Sequence, residues 1–157
     1  MIVEFQEYLT LNNIFLYCNF GVLPFWLLII FMPSSKMAKI LVNSIILPLI
    51  LAIAYIYVIY KAILLEESFF QTFQLYINLD SLYTLFATES FLLIFWLHFI
   101  ALNLFLGSWI AYDGVKYNIP RGLVSIPLIL VYFAGPIGLV LYWFFRIFYA
   151  KKLNFHD

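Results

Sequence analysis

Four long apolar runs dominate this sequence, and each is about long enough to cross the hydrocarbon core of a bilayer as an α-helix. They cover residues 12–32, 40–63, 90–112 and 123–145. Hydrophobic residues make up 66% of the 157 residues and charged residues only 10%, whereas soluble domains are about one-quarter charged. The sequence therefore predicts an all-α, multi-pass integral membrane protein: one domain, residues 1–157, built as a bundle of four transmembrane helices in a lipid bilayer.

The stretch between the second and third runs, about residues 66–89, mixes carboxylates and amides with aromatic side chains. A charge at the bilayer centre costs about 3 kcal/mol on insertion scales. An amphipathic segment lying at the membrane interface is therefore favoured over a fifth crossing. Within it, Asp80 or Ser81 is expected to cap a short helix that carries Leu85 and Phe86.

The positive charges do not decide the orientation if the chain crosses four times. Four lie on each side: Lys61, Arg146, Lys151 and Lys152 on one, and Lys36, Lys39, Lys116 and Arg121 on the other. The cluster at the C-terminal end is the densest, so both termini are expected to face the cytoplasm. Arg146 is expected to extend to the lipid headgroups.

Composition excludes several functions. The net charge is zero, so the chain has no basic surface for nucleic acid. Cys18 is the only cysteine and cannot form an internal disulfide. The two histidines, His98 and His156, are too few for a zinc or di-iron centre. No nucleotide-binding glycine pattern is present and no cofactor is evident. Any chemistry is then cofactor-free proton transfer, or uses a cofactor for which the sequence has no recognisable binding motif.

A polar layer is expected near the middle of the membrane. If each run's midpoint marks the midplane and residues advance by about 1.5 Å, five side chains fall at similar depths: Asn19, Tyr55, His98, Asn103 and Tyr132. Such groups normally face inward. They could form a small binding site, or hydrogen bonds between helices worth roughly 0.6 kcal/mol each. His98 is the main functional candidate because ionisable groups at this depth are rare.

Small residues predict close helix packing in the last two runs. Gly107 and Ala111 are four positions apart, as are Ala134 and Gly138. Pairs with this spacing let two helices approach closely. The short connection around Asp113 and Gly114 also predicts that the third and fourth helices form an antiparallel hairpin.

A proline interrupts the fourth run. Pro136 follows Gly135, and a proline inside a helix removes one backbone hydrogen bond and clashes with the preceding turn. The pair should therefore bend the last helix and free a carbonyl near mid-membrane. Helix packing and the shaping of a cavity are both open as the purpose of this bend.

Three segments together resemble a known family. They are CNFGVLPFWLLIIFMP in the first run, FWLHFIALNLFLGSWIAYD in the third, and IPRGLVSIPLILVYFAGPIGLVLYWFFR in the fourth. Their ordered W-x-H, F-x-G-x-W and GPIGL motifs resemble the abscisic-acid-deficient-four-like family, small membrane proteins of bacteria and chloroplasts. The resemblance implies a bacterial inner membrane or a plastid-type membrane as the location.

The plant member of that family is needed to form neoxanthin from violaxanthin, so the resemblance implies a carotenoid or similar isoprenoid ligand. Opening a carotenoid epoxide to an allene needs an acid and a base. His98 matches the family's histidine and Asp113 an acidic position, so both are catalytic candidates. Asn103 stands where the family usually has aspartate, and an amide cannot act as a general base. The ligand-binding candidates are Asn19, Trp26, Tyr55, Asn103, Trp109 and Tyr132.

Three functions remain open. The first is binding or converting a carotenoid-like isoprenoid, as a cofactor-independent isomerase or epoxide-opening protein. The second is a non-catalytic accessory that presents pigment to a membrane enzyme or stabilises a complex, with a second copy of the chain as another candidate partner. The third is a small transporter or channel subunit, which needs a continuous polar path that a single midplane layer does not make.

Overall fold

All regular structure in the described part of the chain is helical. The computed structural model describes residues 8–42, 44, 46–65 and 78–151. Its elements are α1 (Leu11–Phe31), a π-helical segment (Ala38–Val42), α2 (Ile46–Leu65), α3 (Leu79–Phe86), α4 (Glu89–Lys116) and α5 (Arg121–Ala150). Four stretches are long and apolar enough to cross a membrane: α1, Ala38–Leu64, α4 and α5. The predicted all-α membrane fold is confirmed, and each predicted run coincides with one of these stretches.

The outer surfaces of these helices suit lipid rather than water. Only 22–44% of each apolar stretch is buried inside the protein. Large side chains such as Phe20, Phe105 and Phe133 are more than 60% exposed. Soluble proteins rarely expose apolar surface on this scale, so hydrocarbon must supply the remaining cover.

The short helix α3 begins two or three residues earlier than expected. Asn78 is its N-cap, and the Asn78 Oδ1 atom accepts a hydrogen bond from the backbone N–H of Ser81 at 2.8 Å. The predicted caps Asp80 and Ser81 are therefore wrong. Asp80 lies in the first turn, where its negative carboxylate interacts favourably with the positive end of the helix dipole. Leu85 is buried as expected. The rest of the predicted interfacial segment, 66–77, lies outside the described residues.

The chain forms two compact units, and α1 and α4 contribute to both. The first unit comprises Met1–Gly21 and Leu49–Phe99. Its core joins the first halves of α1 and α4 to the second half of α2, through Ile14, Val58, Ala62, Leu93, Ile94 and Leu97. Lys61 Nζ donates to the Leu9 carbonyl at 2.8 Å. The end of α2 therefore lies beside the start of α1.

The second unit comprises Val22–Pro48 and Ile100–Asp157. Here α4 and the start of α5 form the predicted antiparallel hairpin. Asn118 turns the chain with φ 52°, and the Ile119 N–H donates to the Gly114 carbonyl at 2.9 Å. A Cβ atom on Gly114 would lie 2.8 Å from Val124 Cγ2, so the two helices touch where a larger residue would separate them.

Helix α5 is broken at Ala134, whose φ of −149° and ψ of 72° are not helical. Beyond this point the helix folds back on itself. A Cβ atom on Gly138 would lie 2.5 Å from the Val131 backbone nitrogen and 2.7 Å from the Pro127 carbonyl oxygen. In a straight helix these residues would be about 10 and 16 Å away along the axis. The bend predicted from Pro136 is present, but it is a reversal of direction.

The two halves of α5 pack tightly because Gly138 has no side chain. Gly138→Ala should force the half-helices apart and lower the free energy of unfolding by about 1–3 kcal/mol, as overpacking does in other cores. Thermal unfolding in mild detergent, followed by circular dichroism, measures this change.

Gly122 provides the matched control, because it lies in the same helix and nothing lies within 4 Å of an added Cβ. Gly122→Ala should leave stability unchanged or slightly raised. Equal effects of the two substitutions would contradict the folded-back packing.

Candidate functional site

A buried ion pair joins α4 to the second half of α5 within the second unit. Arg146 Nε donates to Asp113 Oδ2 at 2.7 Å, and Arg146 Nη2 donates to Oδ1 at 3.4 Å. The Tyr142 hydroxyl donates to the same Oδ2 at 2.6 Å. All three residues are buried: Asp113 is 4% exposed, Tyr142 0% and Arg146 1%. One carboxylate thus satisfies donors from two positions that are one helical turn apart.

Aromatic rings enclose the Arg146 guanidinium. Its central carbon lies 5.0 Å from the centre of the Tyr117 ring and 4.8 Å from that of Trp143. Trp109 stacks on Trp143 with ring centres 6.0 Å apart and planes 14° apart. Cation–π contacts of this kind add about 0.5–2 kcal/mol each. Together with the Asp113 carboxylate, these rings replace the water that a buried guanidinium loses.

The expectation that Arg146 reaches the headgroups is wrong. The reversal at Ala134 brings Arg146 to Asp113, where its charge is paired inside the protein. Burial of a charge is tolerated when its partner is close and its hydrogen bonds are satisfied. Because the pair is sealed, the geometry gives the Asp113 carboxylate a structural role. Its catalytic role stays a prediction.

The first unit contains an apolar groove of about 390 Å³ at the N-terminal ends of α1 and α4. Its walls combine aliphatic and aromatic side chains with one amide and one carboxylate: Leu11, Asn12, Phe15, Glu89, Leu92, Leu93 and Trp96. Pockets for small molecules typically have volumes of about 300–1,000 Å³ and this mixture of apolar walls with few polar groups.

Trp96 forms the aromatic wall of this groove, and its orientation is fixed. Its indole N–H donates to Asn19 Oδ1 at 2.8 Å. Phe99 stacks on its ring at 5.4 Å, and the Phe15 ring lies 6.1 Å away. The Oδ1 atom of Asn19 is therefore occupied by Trp96, and the predicted contact of Asn19 with a ligand stays a prediction. Trp96 was not among the predicted site residues, although it begins the W-x-H motif.

His98 lies on the outer face of α4 instead of facing inward as expected. Its neighbours Leu97 and Ile94 take the buried positions. The predicted proximity to Tyr55 is present, with ring centres 6.4 Å apart and planes at 44°. An imidazole and a phenol therefore lie together at a lipid-facing surface. The roles predicted for both residues stay predictions.

The other predicted residues lie inside the second unit. Asn103 is 7% exposed, its Oδ1 contacts Gly135 at the break in α5, and its amide nitrogen has no hydrogen-bond partner among the described residues. Trp26 is buried and meets the Tyr132 ring edge-on at 5.4 Å. A Cβ atom on Gly107 would lie 2.6 Å from the Trp26 ring. Close packing accounts for these contacts.

The remaining small residues predicted for packing also lie in this unit. Ala111 is buried beside Ile29 and Val124, and Ala134 is the residue at which α5 breaks. Within the part of the chain that the structure describes, no three His, Cys, Asp or Glu side chains come together as ligands for a metal ion.

Sequence reasoning missed Tyr142, Arg146 and Trp96 as site residues. A usable signal was present for the first two. Tyr142 and Arg146 are four positions apart in an apolar run, so both face one side of a helix. Asp113 is the acid at the end of the preceding run, so it is a candidate partner for both Arg146 and Tyr142. No signal pointed to the Asn19–Trp96 bond, because it joins residues 77 positions apart.

Removing one partner of the buried ion pair should cost more than removing both. Asp113→Leu leaves the Arg146 charge unpaired and should lower the free energy of unfolding by about 3–5 kcal/mol. The double variant Asp113→Leu/Arg146→Met should recover most of this loss. Thermal unfolding of the three proteins in detergent tests the difference.

Asp80→Asn is the control, because the Asp80 carboxylate is exposed and should contribute little. If Asp113→Leu were no more harmful than Asp80→Asn, the ion pair would not support the fold.

Comparison with known proteins identifies the family. The model of the family described as ABA DEFICIENT 4-like matches residues 13–142. This range contains five of the seven groove-lining residues, all except Leu11 and Asn12, together with His98 and the Asp113–Tyr142 contact. Neither the curated proteins nor the solved structures contain a match. The protein therefore belongs to the ABA DEFICIENT 4-like family.

Proposed function

We propose that this protein binds a carotenoid-like isoprenoid, with one end group of the ligand in the groove of the first unit. The observation that carries the proposal is the groove itself, an apolar site with an oriented tryptophan wall in a chain of this family. An isoprenoid end ring is apolar and bears few oxygen atoms. Leu92, Leu93, Phe15 and Trp96 match the ring, and Asn12 or Glu89 can meet an oxygen.

The rest of such a ligand can follow the outer face of α4. Leu92 is 48% exposed and Phe95 46% exposed, and His98 is also exposed. Successive residues of this set are three positions apart, so they form an oblique row that turns about 60° around the helix at each step. His98 is about 9 Å along the axis from Leu92. A polyene that leaves the groove along this row therefore passes the imidazole.

We also propose that the protein converts the bound ligand. Isomerisation of an epoxide to a hydroxy-allene removes one proton from carbon and adds one to the epoxide oxygen, so it consumes no oxidant or reductant. His98 can accept the proton from carbon, and the Tyr55 phenol beside it can donate to the oxygen. The amide of Asn103 can do neither.

A second candidate function is a non-catalytic accessory that holds the isoprenoid for a membrane enzyme. The sealed Asp113–Arg146 pair favours it, because burial places the only carboxylate among the described residues of the second unit beyond reach of a ligand. Binding is common to both functions. They differ in whether His98 and Tyr55 are needed for a change in the pigment.

Filling the groove should abolish binding. Leu92→Trp should displace the end ring, so protein purified in mild detergent from a carotenoid-making host should lose most of its visible absorbance per mole. Ile137→Trp is the control, since Ile137 is an exposed apolar residue of α5 that does not line the groove. A colourless wild-type protein, or equal absorbance in the two variants, would overturn the binding proposal.

Replacing the polar pair should separate binding from conversion. His98→Gln and Tyr55→Phe should keep the bound pigment, because both preserve most of the surface, while the product disappears from host membranes. Chromatography of extracted pigments measures both quantities. If wild-type protein binds pigment without changing the host's pigment profile, the accessory function replaces the catalytic one.

A further inference from the structure

The reversal of α5 changes which end of the second unit carries its C-terminal charges. Gly138 lies against Pro127 and Val131. Tyr142 and Arg146 reach Asp113, which lies one turn before the end of α4. The second half of α5 therefore returns towards the connection between α4 and α5, where the first half began.

We propose that α5 is a re-entrant hairpin that enters and leaves the membrane on one side, and that this side faces an anionic phospholipid leaflet of the cytoplasmic type. The half-helices 121–133 and 135–150 are about 20 and 24 Å long. Each is shorter than the hydrocarbon core of about 30 Å. Three stretches then cross: α1, Ala38–Leu64 and α4.

Neighbouring contacts bring the end of α1 to the same side. A shallow pocket is lined by Ile30 and Pro33 of the α1 end, Val115 of α4, and Arg121 of α5. The Ser125 hydroxyl also approaches the Ile30 carbonyl at 3.4 Å. The connection that follows α1 therefore lies beside the start of the hairpin within the second unit.

The charge distribution supports this topology independently of the backbone. With three crossings, six of the seven Lys and Arg residues in the described chain lie on the hairpin side. Five are exposed, Lys36, Lys39, Lys116, Arg121 and Lys151, and the sixth is Arg146, whose charge is paired with Asp113. Lys61 is alone on the other side, with the carboxylates of Asp80 and Glu89. A straight α5 would divide the same seven cations four to three. Connections rich in Lys and Arg face the cytoplasm and its anionic lipids.

Cysteine labelling tests the topology. In a Cys18→Ser background, which has no other thiol, single cysteines replace the exposed residues Lys39, Asp80 and Lys151. The proteins are produced in a bacterial inner membrane and treated with a membrane-impermeant maleimide, in intact spheroplasts and in inside-out vesicles. The parent without cysteine reports background labelling.

Asp80→Cys should be labelled severalfold more in spheroplasts, and Lys39→Cys and Lys151→Cys severalfold more in inside-out vesicles. Labelling of Lys151→Cys on the Asp80 side would show a straight crossing and overturn the hairpin. Reversal of all three positions would overturn the assignment to the anionic leaflet. Neither result depends on pigment, so failure here is distinguishable from failure of the proposed function.

Discussion

The carboxylate of Asp113 is the contact on which the second unit depends. It accepts hydrogen bonds from Arg146 and Tyr142, and all three side chains are buried. These bonds need α5 to reverse at Ala134, because a straight helix would carry Arg146 far from the end of α4. The reversal in turn needs Gly138 at the contact between half-helices. The ion pair, the break at Ala134 and the small residue Gly138 therefore depend on one another. If one of them is lost, the buried charges are no longer compensated and the fold is destabilised.

The two units use their polar groups differently. In the second unit the charges of Asp113 and Arg146 neutralise each other, and the Trp143 and Tyr117 rings shield the guanidinium. In the first unit polar groups orient surface features: Asn19 holds Trp96 in the wall of a groove, and Tyr55 lies beside the exposed His98. A rigid sealed pair stabilises the fold, whereas a groove with an adjacent imidazole offers a surface for an elongated apolar ligand. This division is why we propose that the first unit binds the ligand.

Features that depend on residues close together in the chain were predicted from the sequence, whereas most features that depend on distant residues were not. Hydropathy located the four apolar stretches because transfer into lipid depends on local composition. Pro136 located the break in α5 because its effect acts within one turn. Equal depth brought Tyr55 and His98 together correctly. Depth alone did not predict which way His98 faces, since that depends on which side of α4 the neighbouring helices cover. Arg146 was misplaced because the expected bend was in fact a reversal.

By itself, the sequence determined that this chain is helical, lies in a membrane and has its last helix interrupted near Pro136. Those properties arise from the transfer energy and backbone chemistry of residues close together in the chain. Only the tertiary structure decided that Asp113 pairs with Arg146, that Asn19 orients Trp96, and that α5 returns to the side from which it started. The first two contacts join residues 33 and 77 positions apart, and the third also depends on Gly138 lying against Pro127. Their contact is set by the direction in which a helix leaves its break and the face that it turns to its neighbours.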